Sequence, residues 1–258
     1  MGSPDNYRRS IVENQLKHAP DFSLAGKVTM VTGASRGIGR ACALACAAAG
    51  SDIVLGLRDV TKSMELIKEI EGMGRKVLPV RLDISNRGEI ETSVAKAIET
   101  FGRIDVLVNN VGVAPGDLAE LVAEADVDEI LQVNIKGAFL VTQTVARQMI
   151  AQKAGRIISI SSQAGTVTLR GEAIYCMSKA AINHLMRCLA AEWAQYGITV
   201  NTIAPTFIWT DGTKPALADK EFNDRSSDIF PWAGSGKRMM LWVLLYFWRR
   251  RQPPSLRD

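Results

Sequence analysis

The sequence predicts an α/β protein in which a doubly wound parallel sheet forms a single domain. Strand-like and helix-like segments alternate from Gly26 onward, which is the pattern of consecutive βαβ units. A glycine cluster at residues 32–39 lies between the first strand and the first helix, where such folds bring backbone close to a phosphate. The 258 residues, 47% of them hydrophobic, suffice for one large domain with a buried core, and we expect no second one.

The individual elements follow from local composition. Residues 27–32 form an apolar run, residues 38–49 are rich in alanine, a strong helix former, and residues 52–57 are again strand-like, which together predict the first βαβ unit. Further strands are predicted at residues 77–83, 104–109, 156–161 and 198–203, and further helices at 62–73, 87–100, 127–152 and 172–196. Strands of this kind, buried by helices on both faces, are typical of parallel sheets.

Composition argues against several functional classes. The net charge of +4 is modest and much of it comes from an arginine-rich end, so we expect no nucleic-acid-binding face. The four cysteines include no Cys-x-x-Cys pair, and neither His18 nor His184 completes a metal-ligand pattern, which predicts no metal site and a reducing, cytoplasmic setting. Residues 1–21 are polar and lack the apolar run of a secretion signal, so we interpret them as an N-terminal extension.

The glycine cluster predicts a dinucleotide site. Gly33, Gly37 and Gly39 would let the backbone approach a pyrophosphate, while the N-terminus of the following helix supplies free N–H groups. The second strand ends at Arg58 with no carboxylate before Asp59, so the residue that usually binds an adenosine ribose hydroxyl is missing there. Arg58 and Arg36 could instead bind a 2′-phosphate, which favours NADP, although Asp59 leaves NAD possible.

A serine, a tyrosine and a lysine predict the chemistry. Tyr175 lies thirteen positions after Ser162, and Lys179 follows one helical turn later on the same face. The ammonium of Lys179 is expected to favour the ionised form of the Tyr175 phenol and so to lower its pKa, which would let the phenol act as an acid or base nearer neutral pH.

These motifs together resemble the short-chain dehydrogenase/reductase family, over roughly residues 22–219. The resemblance rests on Thr-Gly-x-x-x-Gly-x-Gly from residue 32, Asn-Asn-Val-Gly from residue 109, Asn134, Ser161-Ser162, Tyr-x-x-x-Lys, and Val-Asn-Thr-Ile-Ala-Pro from residue 200. It implies a Rossmann fold and an enzyme that passes a hydride between NADP(H) and a secondary alcohol or ketone. The family's usual alanine is Val111 here, and its usual Pro-Gly is Pro205-Thr206.

The resemblance also implies residue roles. Tyr175 would exchange the proton, Ser162 would hydrogen-bond the substrate oxygen, Lys179 would hold the nicotinamide ribose, and Asn134 would support a water-filled proton relay. Asp83 and Ile84 would bracket the adenine, Asn110 would line the ribose, and Ile208 would contact the carboxamide end. The implied cofactor-binding set is Gly33, Ser35, Arg36, Gly37, Ile38, Gly39, Arg58, Asp83, Ile84, Asn110, Gly112, Tyr175, Lys179, Pro205 and Ile208.

The sequence leaves more than one interpretation of the substrate and of the functional class. Residues 190–198 resemble sugar-acid and polyol dehydrogenases such as gluconate 5-dehydrogenase, while the general pattern is equally similar to 3-oxoacyl-carrier-protein reductases. The rival from another class is a catalytically impaired nucleotide-binding or scaffold protein, and a membrane-attached reductase is a third interpretation. A Ser-His-Asp hydrolase is disfavoured, because no Gly-x-Ser-x-Gly surrounds Ser162 and no histidine follows His184.

The C-terminus departs from the family. The resemblance stops after Phe222, and residues 239–248 form an apolar run that is shorter than the about 20 residues that span a bilayer. Shifting the reading frame from Phe230 onward gives, with permitted codons, a segment that resembles the missing family sequence, so residues 223–258 are interpreted as a frameshifted tail. The catalytic domain is then residues 22–222 without its last helix and strand, which makes the family's homotetramer doubtful for this chain.

Overall fold

The computed structural model describes residues 22–206, 208 and 210, in which six strands alternate with helices. The strands are β1 (Val28–Thr32), β2 (Asp52–Leu57), β3 (Val77–Arg81), β4 (Val106–Asn109), β5 (Gly155–Ile160) and β6 (Ile198–Ile203). The helices are α1 (Gly37–Ala48), α2 (Met64–Gly72), α3 (Arg87–Phe101), α4 (Glu124–Ile130), α5 (Ala138–Gln152) and α6 (Ala173–Trp193). The extension at 1–21, the tail at 223–258 and the last helix and strand expected for the family lie outside the described residues.

All six strands pair in parallel, in the order β3-β2-β1-β4-β5-β6. The order reverses at β1, because the chain first builds outward to β3 and then returns to place β4 on the other side of β1. Beside such a switch point the loops that leave the carboxyl ends of the two strands diverge and open a crevice. The prediction of an α/β fold with a doubly wound parallel sheet is confirmed.

The side chains of successive strand residues pack into two hydrophobic cores, one on each face of the sheet. Met30 and Leu107 pack on one side with helices α3, α5 and α6, whereas Val31 and Val106 pack on the other with α1 and α2. Every residue of β1 is buried. Burial on both faces explains why the strands read as continuous apolar runs, and it fixes the strand ends where the polar loops begin.

Two helical segments differ from the predicted elements. The single helix predicted at 127–152 begins at Glu124, and a π-helical segment (Leu131–Gly137) separates α4 from α5. The helix predicted at 62–73 is a 3₁₀ turn (Val60–Ser63) followed by α2, because the Asp59 side chain accepts a hydrogen bond from the Thr61 N–H and starts the turn. Among the described helices none is long and apolar enough to cross a membrane.

Candidate active site

The glycine turn between β1 and α1 has backbone that only glycine adopts easily. Gly33 and Gly37 have φ values of +64° and +56°, in the left-handed region. A Cβ at Gly39 would overlap the Gly33 carbonyl oxygen and stand 2.6 Å from the Asn110 Nδ2. The residue before α1, Arg36, provides no side-chain cap, so the first N–H groups of α1 are not satisfied by that side chain. These features leave room for the backbone to approach a pyrophosphate, and the cofactor role of the turn stays a prediction.

Thr32 and Asn110 hold this turn against the end of β4. The Thr32 hydroxyl donates to Asn109 Oδ1 at 3.3 Å and accepts from the N–H groups of Asn110 at 2.9 Å and Val111 at 3.3 Å. In return, the Asn110 carboxamide donates to the carbonyl oxygens of Thr32 at 3.0 Å and Gly33 at 3.3 Å. Asn110 was predicted to line the ribose. In the structure its side-chain nitrogen Nδ2 donates to the glycine turn and holds it in place.

The ends of β2 and β3 carry the groups expected to face the adenosine. Arg58 and Arg36 are exposed, and neither forms an ion pair within the described residues. The carboxylate of Asp59, by contrast, accepts from Thr61 N at 3.0 Å and Thr61 Oγ1 at 2.6 Å, and it lies 3.3 Å from the Lys62 ammonium. These bonds lower the pKa of Asp59 and hold its carboxylate on its own loop.

Asp83 and Ile84 follow β3 at the same edge of the sheet. The Asp83 carboxylate accepts from Ser85 N at 2.9 Å and Ser85 Oγ at 2.6 Å, and these bonds, with a smaller contribution from the Arg58 charge, lower its pKa. Ile84 is buried, and its carbonyl oxygen lies so close to Gly137 that a Cβ there would stand 2.6 Å from it. The loop after β3 is therefore packed onto the π-helical segment.

Ser162, Tyr175 and Lys179 lie together beyond the end of β5. Ser162 follows the strand and its Oγ accepts a hydrogen bond from Ala164 N at 3.1 Å, which caps a short 3₁₀ turn (Gln163–Gly165). Tyr175 is half-buried in the first turn of α6, and the Lys179 Nζ lies 5.4 Å from the centroid of its ring. Lys179 is buried, and its ammonium donates to the Ile160 carbonyl at 3.4 Å.

The ionisation of Tyr175 differs from the sequence-based expectation. Its pKa is raised, chiefly because burial disfavours the phenolate; a hydrogen bond with Ser162 lowers it in part, and the charge of Glu172 raises it further. Burial also lowers the pKa of Lys179 to about 8. The expectation that the Lys179 ammonium lowers the pKa of this phenol was wrong for the protein without ligands, because burial raises that pKa.

Asn134 lies in the π-helical segment and anchors the loop that follows β4. Its carboxamide donates to Val113 O at 2.8 Å and accepts from Val113 N at 2.9 Å, and it also donates to Ser178 Oγ at 3.1 Å. A Cβ at Gly112 would stand 3.2 Å from Lys179 Nζ and 3.4 Å from Asn134 Oδ1, so Gly112 separates these two side chains closely. The predicted quartet of Asn134, Ser162, Tyr175 and Lys179 thus occupies one region around α6.

The remaining predicted residues lie on the segments that follow β1 and β6. Ser35 is exposed, Ile38 packs partly against the core, and the carbonyl of Pro205 accepts from Gln163 N at 3.0 Å. Ile208 is half-buried. Two residues with a part in the site were not singled out from the sequence: Thr32, whose place in the glycine motif was the available signal, and Glu172, which had none.

Comparisons with known proteins agree with this geometry. The family model described as short chain dehydrogenase matches residues 27–221. The 2-dehydro-3-deoxy-D-gluconate 5-dehydrogenase of Dickeya dadantii is 37% identical over 217 residues, which cover 84% of each chain. The 3-oxoacyl-[acyl-carrier-protein] reductase FabG of Thermotoga maritima is 40% identical over 193 residues, which cover 74% of this chain and 78% of that one.

A solved structure shows the same similarity in three dimensions. The gluconate 5-dehydrogenase from Burkholderia cenocepacia J2315, in complex with NADP and tartrate, has a TM-score of 0.82 and 30% identity, and the match covers 88% of this chain and 89% of that one. Sequence motifs, strand order and the Ser162, Tyr175 and Lys179 arrangement all lead to one assignment. The chain belongs to the short-chain dehydrogenase/reductase family of oxidoreductases.

Proposed function

We propose that this protein interconverts a secondary alcohol and a ketone with NADP(H), and that its substrate is a sugar acid, a polyol or a 3-oxoacyl compound. The observation that carries the proposal is the placement of Tyr175, Ser162 and Lys179 around one end of β5 and α6, beside the crevice at the switch of strand order. NADP(H) would supply or accept the hydride when bound.

The preference for NADP follows from the charges at the end of β2. Arg58 and Arg36 are exposed cations with no ion-pair partner among the described residues, and guanidinium groups bind phosphate with two parallel hydrogen bonds. The carboxylate that could instead bind a ribose hydroxyl is Asp59, and it is engaged by Thr61 and Lys62. A 2′-phosphate would therefore meet cations there, whereas the carboxylate that could accept from a 2′-hydroxyl is held on its own loop by Thr61 and Lys62.

The chain's own residues would manage the proton. In ketone reduction the Tyr175 phenol gives its proton to the substrate oxygen, and in alcohol oxidation the phenolate takes it back. The Ser162 hydroxyl, which hydrogen-bonds Tyr175 in the protein without ligands, would donate its hydrogen to the same substrate oxygen and stabilise the developing negative charge. Lys179 would bind the nicotinamide ribose, and Asn134 would hold the loop after β4 for a relay of protons through water.

The substrate class rests on relatives and on residues 190–198. The Dickeya dadantii relative is named for a dehydrogenase acting on a deoxygluconate, and the Thermotoga maritima relative for a reductase acting on 3-oxoacyl groups. Both reactions interconvert a carbonyl group and a secondary alcohol, so they need the same proton transfer to or from the substrate oxygen. They differ in how the rest of the substrate is bound.

An assay of NADPH oxidation across ketosugar acids and acetoacetyl thioesters tests the proposal. We expect turnover with one of these classes, a lower rate with NADH, and no turnover with Tyr175→Phe, which should still quench or shift cofactor fluorescence on binding. A chain that changes cofactor fluorescence but oxidises NADPH with none of these substrates would support the alternative, a nucleotide-binding or scaffold protein.

We also propose that the catalytic domain is residues 22–222 and that residues 223–258 come from a shifted reading frame. The match to the family model ends at residue 221, close to the point where the sequence stops resembling the family. A cytoplasmic location is part of this proposal, whereas the absence of the family's last helix and strand argues against the family's homotetramer for this chain. Nucleotide sequence across the codons for Asp224 to Phe230 tests the frameshift, and codons that cannot yield the family segment in the shifted frame would exclude it.

A further inference from the structure

Glu172 is a poorly solvated carboxyl group one helical turn before Tyr175. It is the N-cap residue of α6 and makes no side-chain capping hydrogen bond. Its Oε2 is buried and has no hydrogen-bond partner. Residues three apart at the start of a helix are neighbours, with about 5–6 Å between their Cβ atoms, so Glu172 and Tyr175 lie side by side at the N-terminus of α6.

The loop after β4 covers this carboxyl group. A Cβ at Gly116 would stand 3.4 Å from both Cδ and Oε1 of Glu172, so the loop lies against the carboxyl group, and the Gly171 carbonyl oxygen, at 2.6 Å, excludes a side chain there. No ion pair involves Glu172 within the described residues. Burial raises the pKa of Glu172, and no neighbouring cation offsets that effect.

The charged and titratable groups around the phenol come from three places. Lys179 and Cys176 lie on α6 itself, with the Lys179 ammonium 5.4 Å from the ring centroid. Ser162 approaches from the end of β5. The loop after β4 brings the backbone of Asp117, whose carbonyl lies 3.9 Å from the Cβ position of Gly171. In addition to these groups, the charge of Glu172 acts on Tyr175 and raises its pKa.

We propose that Glu172 is a positioning residue of this enzyme, a half-buried carboxylate whose charge acts through space on Tyr175 and favours the protonated phenol. The inference rests on the proposed function, in which Tyr175 exchanges the proton. A negative charge at Glu172 favours the protonated phenol, which is the proton donor needed for ketone reduction. The same charge moves formation of the phenolate, the base needed for alcohol oxidation, to higher pH.

The order in which Glu172 and Tyr175 ionise decides whether Glu172 raises or lowers the pKa of Tyr175. A carboxyl group is the stronger acid, so Glu172 loses its proton first and its negative charge then opposes ionisation of the phenol. Two unit charges on neighbouring side chains in a half-buried site interact strongly enough to change an ionisation equilibrium roughly tenfold, after discounting for solvent. Glu172→Gln removes this charge with little change of shape.

The test compares pH profiles of kcat/KM in both directions for the unaltered chain, Glu172→Gln and Glu172→Asp. We expect Glu172→Gln to move the alkaline rise of oxidation and the alkaline fall of reduction to lower pH, with roughly tenfold faster oxidation at a fixed pH on the rising limb. Glu172→Asp keeps the charge and should stay close to the unaltered profile. Glu192→Gln, an exposed glutamate at the other end of α6, is the matched control and should change neither profile.

A second measurement does not need turnover. The ultraviolet absorbance of tyrosinate is titrated with pH, and subtracting the same titration of Tyr175→Phe isolates Tyr175 from the other three of the chain's four tyrosines. Glu172→Gln should move this difference titration to lower pH. An unchanged difference titration overturns the inference whether or not the chain is active; a shifted titration in a chain without turnover supports it while refuting the proposed function.

Discussion

Replacing Gly39 by alanine should destabilise the fold and weaken cofactor binding, and the structure gives the size of the effect. The new methyl group would overlap the Gly33 carbonyl oxygen and stand 2.6 Å from Asn110 Nδ2, so either the glycine turn or the carboxamide that supports it has to move. Overpacking against backbone costs about 1–3 kcal/mol, and this site belongs at the upper end because a carbonyl in a turn cannot rotate away as a side chain can. Helix propensity returns about 1 kcal/mol, because alanine replaces glycine within α1.

The net expectation is a loss of about 2 kcal/mol in the free energy of unfolding, measured by urea denaturation followed by circular dichroism. The matched control is Gly72→Ala in the last turn of α2, where a Cβ would meet nothing within 4 Å. The same chemical change should there stabilise the fold by about 0.5–1 kcal/mol. The reasoning is refuted if Gly39→Ala unfolds at the same urea concentration as the unaltered chain and binds NADPH equally well by fluorescence titration.

Three further outcomes are expected. Burial lowers the pKa of Lys179 from 10.5 to about 8, so above about pH 8 the unfolded state binds one more proton at this residue and the free energy of unfolding rises with pH. Above about pH 9 the thiols of Cys42 and Cys46 ionise only in the unfolded state and reverse this trend, so Lys179→Met should abolish the rise between about pH 8 and 9, as denaturation at several pH values would show. Arg58→Ala should raise KM for NADPH about tenfold or more while leaving KM for NADH nearly unchanged, with Arg147→Ala, exposed on α5, as the control in steady-state kinetics. Cys42 and Cys46 are buried and their pKa values are raised to about 12, so a thiol reagent at neutral pH should label them only after denaturation, as mass spectrometry can follow.

Strand positions were predictable because burial on both faces leaves a visible pattern. The predicted bounds of β2 and β6 agree with the structure, and the other strands differ by one or two residues at an end. The glycine turn and the cluster of Ser162, Tyr175 and Lys179 were also recognisable, since each depends on residue types at fixed spacing. Such spacing survives in the sequence whatever the surrounding packing.

Contacts between distant segments were not predictable in the same way. The π-helical segment around Asn134 differs from an α-helix by one residue per turn, which the apolar periodicity of 127–152 does not resolve. The raised pKa of Tyr175 depends on how deeply the ring is buried and on where Glu172 points, neither of which follows from the four-residue spacing to Lys179. The engagement of Asp59 by Thr61 likewise depends on the local turn.

The buried carboxamide of Asn109 has a consequence for recombining this chain with its relatives. It donates to Ala138 O at 2.8 Å and Thr142 Oγ1 at 3.1 Å at the start of α5, and it accepts from the Thr32 hydroxyl at 3.3 Å at the end of β1. A shift of β4 by one residue would turn this side-chain amide to the opposite face of the sheet, where it would lose these hydrogen-bond partners. Chimeras that join the nucleotide half of one homologue to the catalytic half of another should therefore transplant residues 32 and 109 as a pair.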